Sequence, residues 1–283
     1  MSAIRSILLH LDAAAGSIAR LAVARELAAR HGAGLTAVFG VQPDTARVDF
    51  AYSAGAALRA AEDEEAMHWS RERTRLRDRC AEGTPACTWC EIVGDTVTHG
   101  FLAEAAYADL LVLGVPLDAD PTGHAPPGFV ESVILASGTP AIVVPDRHRK
   151  QSIGQRILVA WNGSPPATRA LHAALPLMAL AAEVHVASWG AHPPAAPYSH
   201  LDAGEWLRRH GIACRTHSRP PSSRVAEELA ALAAELQADL VVMGCYGHTR
   251  LRERMFGGVT RSAPAGRPSR VRTSSASRIS AAA

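Results

Sequence analysis

Of the 29 lysine and arginine residues in this chain of 283 residues, only Lys150 is a lysine. This scarcity excludes mechanisms that need a lysine elsewhere, such as a P-loop lysine or a Schiff base. Aromatic residues make up 5% of the sequence, whereas about a fifth of it is alanine. Such a composition favours many closely packed helices over an aromatic-rich β-sandwich.

Net charge, cysteines and long apolar runs are also scarce. The formal net charge of +2 gives no electrostatic case for binding nucleic acid or a membrane surface. An odd number of cysteines, five, and an N-terminus without a signal-peptide pattern argue against a disulfide framework. The most apolar stretch, 170–189, is interrupted by histidine, proline and glutamate. We therefore expect a cytoplasmic protein with no transmembrane helix.

Two segments of the chain repeat each other. Ile7–Asp12 resembles Ile157–Asn162, and Asp109–Gly114 resembles Asp239–Gly244. A repeat of this size indicates two related domains rather than a solenoid of small units. Each copy alternates short apolar runs with amphipathic stretches, such as a predicted helix over Ala167–Leu180. That alternation is typical of a parallel sheet covered by helices on both faces.

The predicted fold is therefore α/β, with two tandem Rossmann-like domains that each contain an open parallel five-strand sheet. The predicted boundaries are 1–148 for the first domain, 149–155 for a polar linker, 156–260 for the second domain and 261–283 for a tail. The tail is rich in Arg, Ser, Ala and Pro, and its only large aliphatic residues are Val271 and Ile279. We expect it to be disordered and the second domain to lack its last strand.

Widely spaced glycines follow the fourth predicted strand of the second domain. Gly244 is followed after two residues by Gly247, and after nine more by Gly257–Thr260 at an expected helix start. Ligands of open parallel sheets bind at the carboxyl ends of the strands. Glycine lets the backbone approach a phosphate, and the N–H groups of a helix N-terminus donate to it. Arg250 is a further candidate because arginine suits phosphate geometry.

This G-x2-G-x9-G spacing resembles the ATP-binding members of the universal stress protein family. Arg156–Ser164 also looks like the family's first strand and turn, with Asn162 at its usual aspartate and Gly258 at its usual serine or threonine. The resemblance implies a tandem member, with a fold like that of adenine nucleotide alpha hydrolases, that binds ATP, with or without Mg²⁺, in its second domain. The residues expected to bind the nucleotide are Ala160, Trp161, Asn162, Ser188, Met243, Gly244, Gly247, His248, Arg250, Gly257, Gly258, Val259 and Thr260.

The first copy departs from this pattern. Leu117 and Pro127 follow Gly114 at the distances where the second copy has Gly247 and Gly257. A leucine side chain would intrude where a bare backbone is needed, and proline has no N–H to donate. We therefore expect a degenerate domain that packs and dimerises without ATP.

The other residues with reactive side chains are weaker candidates. Cys87 and Cys90 have CxxC spacing, but they begin a predicted strand, and no second pair completes a zinc site. Cys245 is either an exposed thiol that senses oxidants or an incidental small residue. His10 and His248 have no partner nucleophile in a recognisable motif. We therefore predict no metal site and no catalytic residue.

Together these features predict a cytoplasmic regulatory protein of the stress response that binds an adenine nucleotide. It is not expected to be an enzyme, and any ATP hydrolysis would be slow. The expected assembly is a homodimer or a pairing of the two domains, without nucleic acid or membrane partners. One alternative is a scaffold that acts through dimerisation without a nucleotide. Another is an adenylate-forming enzyme of the nucleotide α-hydrolase superfamily, although the sequence lacks that group's Ser-Gly-Gly and His-x-Gly-His signatures.

Overall fold

A computed structural model describes most of the chain. The described residues are 3–41, 56–93, 97–114, 125–126, 128–145, 153–190, 202–245 and 279–282. Contacts divide the chain into a first unit, Ala3–Asp146, and a second unit that begins at Arg147. The predicted linker, 149–155, lies just after this division.

The first unit is a parallel sheet with helices between its strands. Its elements are β1 (Ser6–Leu11), α1 (Ser17–His31), β2 (Gly34–Val41), α2 (Ala56–Glu82), β3 (Cys87–Val93), α3 (Val97–Ala105), β4 (Leu110–Gly114), α4 (Phe129–Ser137) and β5 (Ala141–Val144). The strand order is β3-β2-β1-β4-β5, and every pair is parallel. Strand order therefore reverses between β1 and β4, which is the place where doubly wound sheets bind ligands.

The second unit repeats this arrangement. Its elements are β6 (Arg156–Ala160), α5 (Pro165–Ala173), α6 (Leu175–Met178), β7 (Glu183–Trp189), α7 (Ala203–Arg209), β8 (Arg215–Arg219), α8 (Val225–Glu235) and β9 (Leu240–Met243). The order β9-β6-β7-β8 is again all parallel and corresponds to β4-β1-β2-β3 of the first unit. The predicted tandem Rossmann-like α/β fold is confirmed.

The helix predicted over Ala167–Leu180 is divided in two. It begins earlier, at Pro165, because Ser164 caps it and proline suits the first turn of a helix. The break falls at Ala174, and a second short helix then begins with Pro176 in its first turn. Proline has no N–H to donate to the preceding turn, so it starts a new helix here rather than continuing the old one.

Strand register explains why the two copies look alike. Leu8 lies beside Leu111 in the first unit, and Leu158 lies beside Val241 in the second. Just before each fourth strand, an aspartate carboxylate accepts backbone hydrogen bonds from the start of the first strand. Asp109 accepts from Arg5 and Ser6 at 2.8 and 3.0 Å. The repeated aspartate therefore holds the two central strands together at their amino ends.

A short strand from the tail, β10 (Ile279–Ala282), pairs in parallel with β9. Four strands of the second unit match the first unit, as expected, and β10 takes the side of β9 where a fifth strand would lie. Disorder is the prediction for the whole of 261–283, and the structure shows a strand at these four residues. Sheet pairing uses backbone N–H and C=O groups, so alanine and serine can provide it without large aliphatic side chains. Residues 261–278 lie outside the described residues.

We expect Asp239→Ala to destabilise the second unit. The Asp239 carboxylate accepts from the backbone N–H groups of Gly154, Gln155 and Arg156 at 2.9–3.1 Å. Hydrogen bonds to a charged group contribute about 1.5–3 kcal/mol, and this carboxylate is partly exposed, so we expect a loss of about 2–3 kcal/mol. Urea unfolding followed by tryptophan fluorescence measures it. A loss no larger than that of Asp63→Ala, at an exposed position of α2, would contradict this role.

Candidate functional site

The carboxyl ends of β6, β7 and β9 form the candidate site in the second unit. The loop that leaves β6 is held against the neighbouring strand, because the Trp161 N–H donates to the Ala187 carbonyl at 2.8 Å. Ser188 is buried near the end of β7, and Met243 is buried at the end of β9. Ala160 and Trp161 are half-buried. The structure therefore brings these predicted residues to one edge of the sheet.

Asn162 organises the turn from β6 into α5. Its Oδ1 accepts from the Ser164 N–H at 3.1 Å and from the Ser164 hydroxyl at 2.6 Å. Ser164 Oγ in turn accepts from the Ala167 N–H at 3.4 Å, which caps the helix. Gly163 takes a φ of 69° between them, in the left-handed region that favours glycine. Asn162 Oδ1 thus stabilises the turn. The side chain is exposed, so its NH₂ group can donate to a ligand.

Gly244 permits a close contact between β9 and the start of α5. A Cβ at this position would lie 2.5 Å from both the Pro166 carbonyl carbon and the Ala167 nitrogen. Any larger residue would push the two elements apart. We predicted this glycine as a place where phosphate approaches the backbone, and the structure adds a packing reason for it.

The remaining predicted residues lie outside the described residues. They are Gly247, His248, Arg250, Gly257, Gly258, Val259 and Thr260. Leu117 and Pro127 of the first copy lie outside them as well. The described part of the site is therefore its strand edge and helix start, and the phosphate loop stays a prediction.

In the first unit the corresponding edge is filled by the side chain of Arg20. This residue is 2% exposed, and its guanidinium forms a buried ion pair with Asp12. Arg20 Nη2 also donates to Ser17 Oγ at 2.8 Å, and Nη1 donates to the His10 carbonyl at 3.2 Å. A Cβ at Gly114 would lie 2.6 Å from Arg20 Cζ. The glycine that ends the fourth strand therefore makes room for an arginine in the first unit and for helix backbone in the second.

The ionisation of His10 and Asp12 reflects this burial. Burial lowers the pKa of His10 to about 4, so the ring is neutral and its Nδ1 lies 3.3 Å from Arg20 Nη1. The ring also packs 4.3 Å from the Phe129 ring, centre to centre. Burial alone would raise the pKa of Asp12, but the charge of Arg20, the neighbouring His10 and the hydrogen bonds from Ser17 and Arg20 together outweigh it and hold that pKa at about 2. His10 is thus a core histidine whose ring is buried and partnered.

Sequence reasoning missed Arg20, although a signal was present. When Asp12 is aligned with Asn162, Arg20 falls on Ala170, and both positions are buried. An arginine on the apolar face of an amphipathic helix predicts a buried partner, because an unpaired charge is costly to bury. Asp12, eight residues before Arg20, was the available carboxylate.

Cys87 and Cys90 of the CxxC motif are not placed to bind one metal ion or to form a disulfide with each other. Cys87 and Cys90 lie on the single strand β3, where residues three apart point to opposite faces. Among the described residues, no group of three or more His, Cys, Asp or Glu side chains could hold a metal ion. Cys245 is buried, and burial raises the pKa of its thiol to about 11, so it is not an exposed reactive thiol.

These features define a class of protein with two parallel α/β units in tandem, the first closed at its strand edge by an arginine. Residues 154–263 match the universal stress protein family. A universal stress protein from Archaeoglobus fulgidus DSM 4304 shares the fold over 98% of this chain and 95% of its own, at 14% identity and a TM-score of 0.62. The chain belongs to the universal stress protein family.

Two further solved structures are similar to parts of the chain. A protein from the same family in Burkholderia pseudomallei is 31% identical, over 36% of this chain and 88% of its own, with a TM-score of 0.29. A universal stress protein in complex with cAMP is 22% identical, over 51% of this chain and 99% of its own, with a TM-score of 0.32. No curated protein matches the chain.

We expect His10 to make the first unit acid-sensitive. Its folded-state pKa, about 4, lies below the ordinary 6.5, so the stability it contributes is present above pH 6.5 and is lost as pH falls towards 4. A shift of this size corresponds to about 3 kcal/mol. Asp12 continues the loss at lower pH, between its ordinary 3.8 and about 2.

His10→Gln tests this dependence, because glutamine keeps an acceptor for Arg20 and does not titrate. Urea unfolding between pH 4 and 7 should show a shallower loss of stability in the variant than in the wild type. Parallel profiles would contradict the assignment.

Proposed function

We propose that this chain binds an adenine nucleotide, ATP with or without Mg²⁺, at the carboxyl edge of its second unit and acts as a regulatory stress-response protein. The support is the strand edge just described, together with the Gly244, Gly247 and Gly257 spacing of the loop that follows it. Glycines and helix N–H groups suit a polyphosphate, which needs close backbone approach and many donors.

The observation that carries the proposal is the contrast between Arg20 and Ala170. In the first unit a guanidinium and a carboxylate neutralise each other where the strands end, and together they occupy that space. The second unit has the small Ala170 at the position of Arg20 and Asn162 at that of Asp12, so these two residues form no ion pair. A bound nucleotide would meet the ion pair in the first unit but not at the matching positions of the second.

We also propose that the protein acts by binding ATP and not as an enzyme that hydrolyses it. The sequence contains no recognisable motif that pairs a nucleophile with a general base, so ATP hydrolysis should be slow and incidental. We also propose a cytoplasmic location and assembly as a homodimer or through pairing of the two units, without nucleic acid or membrane partners. Among the described residues, no helix is both long enough and apolar enough to cross a membrane.

A second candidate is a stress scaffold that binds no nucleotide. The Arg20–Asp12 ion pair favours this candidate for the first unit, because the two side chains occupy the place where a ligand would bind. The family usually has serine or threonine at the position of Gly258. If nucleotide binding needs that hydroxyl, the second unit would also act without a nucleotide. Nucleotide titration separates the two candidates.

Gly247→Val is expected to abolish ATP binding. A branched side chain in the phosphate loop would block the approach of a phosphate to the backbone, so affinity should fall at least tenfold. Isothermal titration of the purified full chain measures it, and a parallel titration with cAMP tells whether the triphosphate is needed. Leu117→Val, at the matching position of the first copy, is the control and should bind as the wild type does. No binding by the wild type, or equal binding by the Gly247 variant, would end the proposal.

Asn162→Asp should tighten ATP binding. Aspartate keeps the oxygen that accepts from Ser164 and adds a second acceptor where asparagine has its NH₂. One added hydrogen bond to a nucleoside hydroxyl is worth about 1 kcal/mol, or roughly a fivefold gain in affinity. Unchanged or weaker binding in the same titration would mean that the nucleoside does not lie beside this side chain.

A further inference from the structure

Two thiols lie together in the first unit, away from its strand edge. Cys80 is in the last turn of α2, and Cys87 is the first residue of β3. The two thiols lie close enough together for each to shift the pKa of the other. Cys80 is 1% exposed, whereas Cys87 is half-buried. One thiol is therefore sheltered and the other is reachable from solvent.

Arg25 of α1 places a positive charge beside this pair. Its Nη2 donates to the Cys80 carbonyl at 2.9 Å and to the Arg79 carbonyl, so it caps the carboxyl end of α2. A Cβ at Gly83 would lie 1.9 Å from Arg25 Cζ, so the glycine leaves room for the guanidinium in the turn between the two cysteines. The charge is thus held in one place by the helix end and the turn.

This arrangement gives the two thiols different roles. The neighbouring Cys80 thiol lowers the pKa of Cys87 most and burial raises it, while Arg25 and a backbone hydrogen bond from Ala37 lower it, so the net shift is downward. The same Cys80–Cys87 contact and burial raise the pKa of Cys80. Cys87 is the better nucleophile because the thiolate is the reactive form and a nearby cation favours it.

We propose that Cys80 and Cys87 are a peroxide-sensitive thiol pair that closes to a reversible disulfide. The Cys87 thiolate attacks a hydroperoxide, the O–O bond breaks, and Cys87 becomes a sulfenic acid while the departing oxygen takes a proton to leave as water or an alcohol. The Cys80 sulfur then attacks the Cys87 sulfur. The S–S bond forms, the S–O bond breaks, and a second water carries away the Cys80 proton. A thiol reductant reverses the change.

The neighbouring cysteine cannot take the place of Cys80. Cys87 and Cys90 are three residues apart on one strand, about 10 Å along it, and a disulfide needs Cα atoms within about 7 Å. Oxidation of this pair would tie the end of α2 to the start of the edge strand β3.

Peroxide treatment of the reduced full-length protein tests the pair. A glutamate-specific protease cuts after Glu82, which leaves Cys80 and Cys87 in different peptides, so mass spectrometry reports their crosslink directly. We expect the wild type to lose two free thiols and to gain this crosslink, and dithiothreitol to restore both thiols. Cys90→Ser is the matched control and should crosslink equally.

Cys80→Ser and Cys87→Ser separate the two roles. Without Cys80 the reaction should stop at a sulfenic acid on Cys87, which dimedone traps. Without Cys87 neither crosslink nor adduct should form in this segment. A wild type that keeps both thiols, a crosslink that disappears in Cys90→Ser, or a dimedone adduct on Cys90 instead of Cys87 would overturn the proposal.

Discussion

The first and fourth strands of each parallel sheet end side by side, and whatever fills the space at their ends decides what each unit can bind. In the first unit the filling is the guanidinium of Arg20, paired with Asp12 and seated on Gly114. In the second unit the space beside Gly244 is filled by the backbone at the start of α5. The same topological position thus holds a buried ion pair in one copy and a helix start with an exposed asparagine in the other.

The ion pair makes the residues at the strand edge of the first unit depend on one another. Removing one partner of a buried pair commonly costs about 3–5 kcal/mol, because the other charge is left uncompensated. Asp12, Ser17 and Arg20 are therefore mutually dependent, and Gly114 has to stay small beside them.

Much of this could be predicted from the sequence, for identifiable reasons. Apolar runs such as Ile7–Leu11 and Ile157–Trp161 predicted buried parallel strands, and the repeat predicted two related units. The repeated aspartates were visible as landmarks, but their backbone hydrogen bonds depend on strand register. Arg20 was missed because one arginine in a helix is ordinarily solvated, and only a copy-by-copy alignment reveals Ala170 opposite it. The pairing of β10 was missed because backbone hydrogen bonds leave no pattern in an Ala/Ser-rich segment.

The thiol pair and the strand edge are separate parts of the molecule, so oxidation and nucleotide binding can be measured independently. The central claim is that the two units differ, one closed by Arg20 and one able to take an adenine nucleotide. Equilibrium dialysis of the full-length chain against saturating ATP counts the sites directly. We expect one ATP per chain. Two per chain would show that Arg20 does not close the first unit, and none would show that the second unit does not bind ATP.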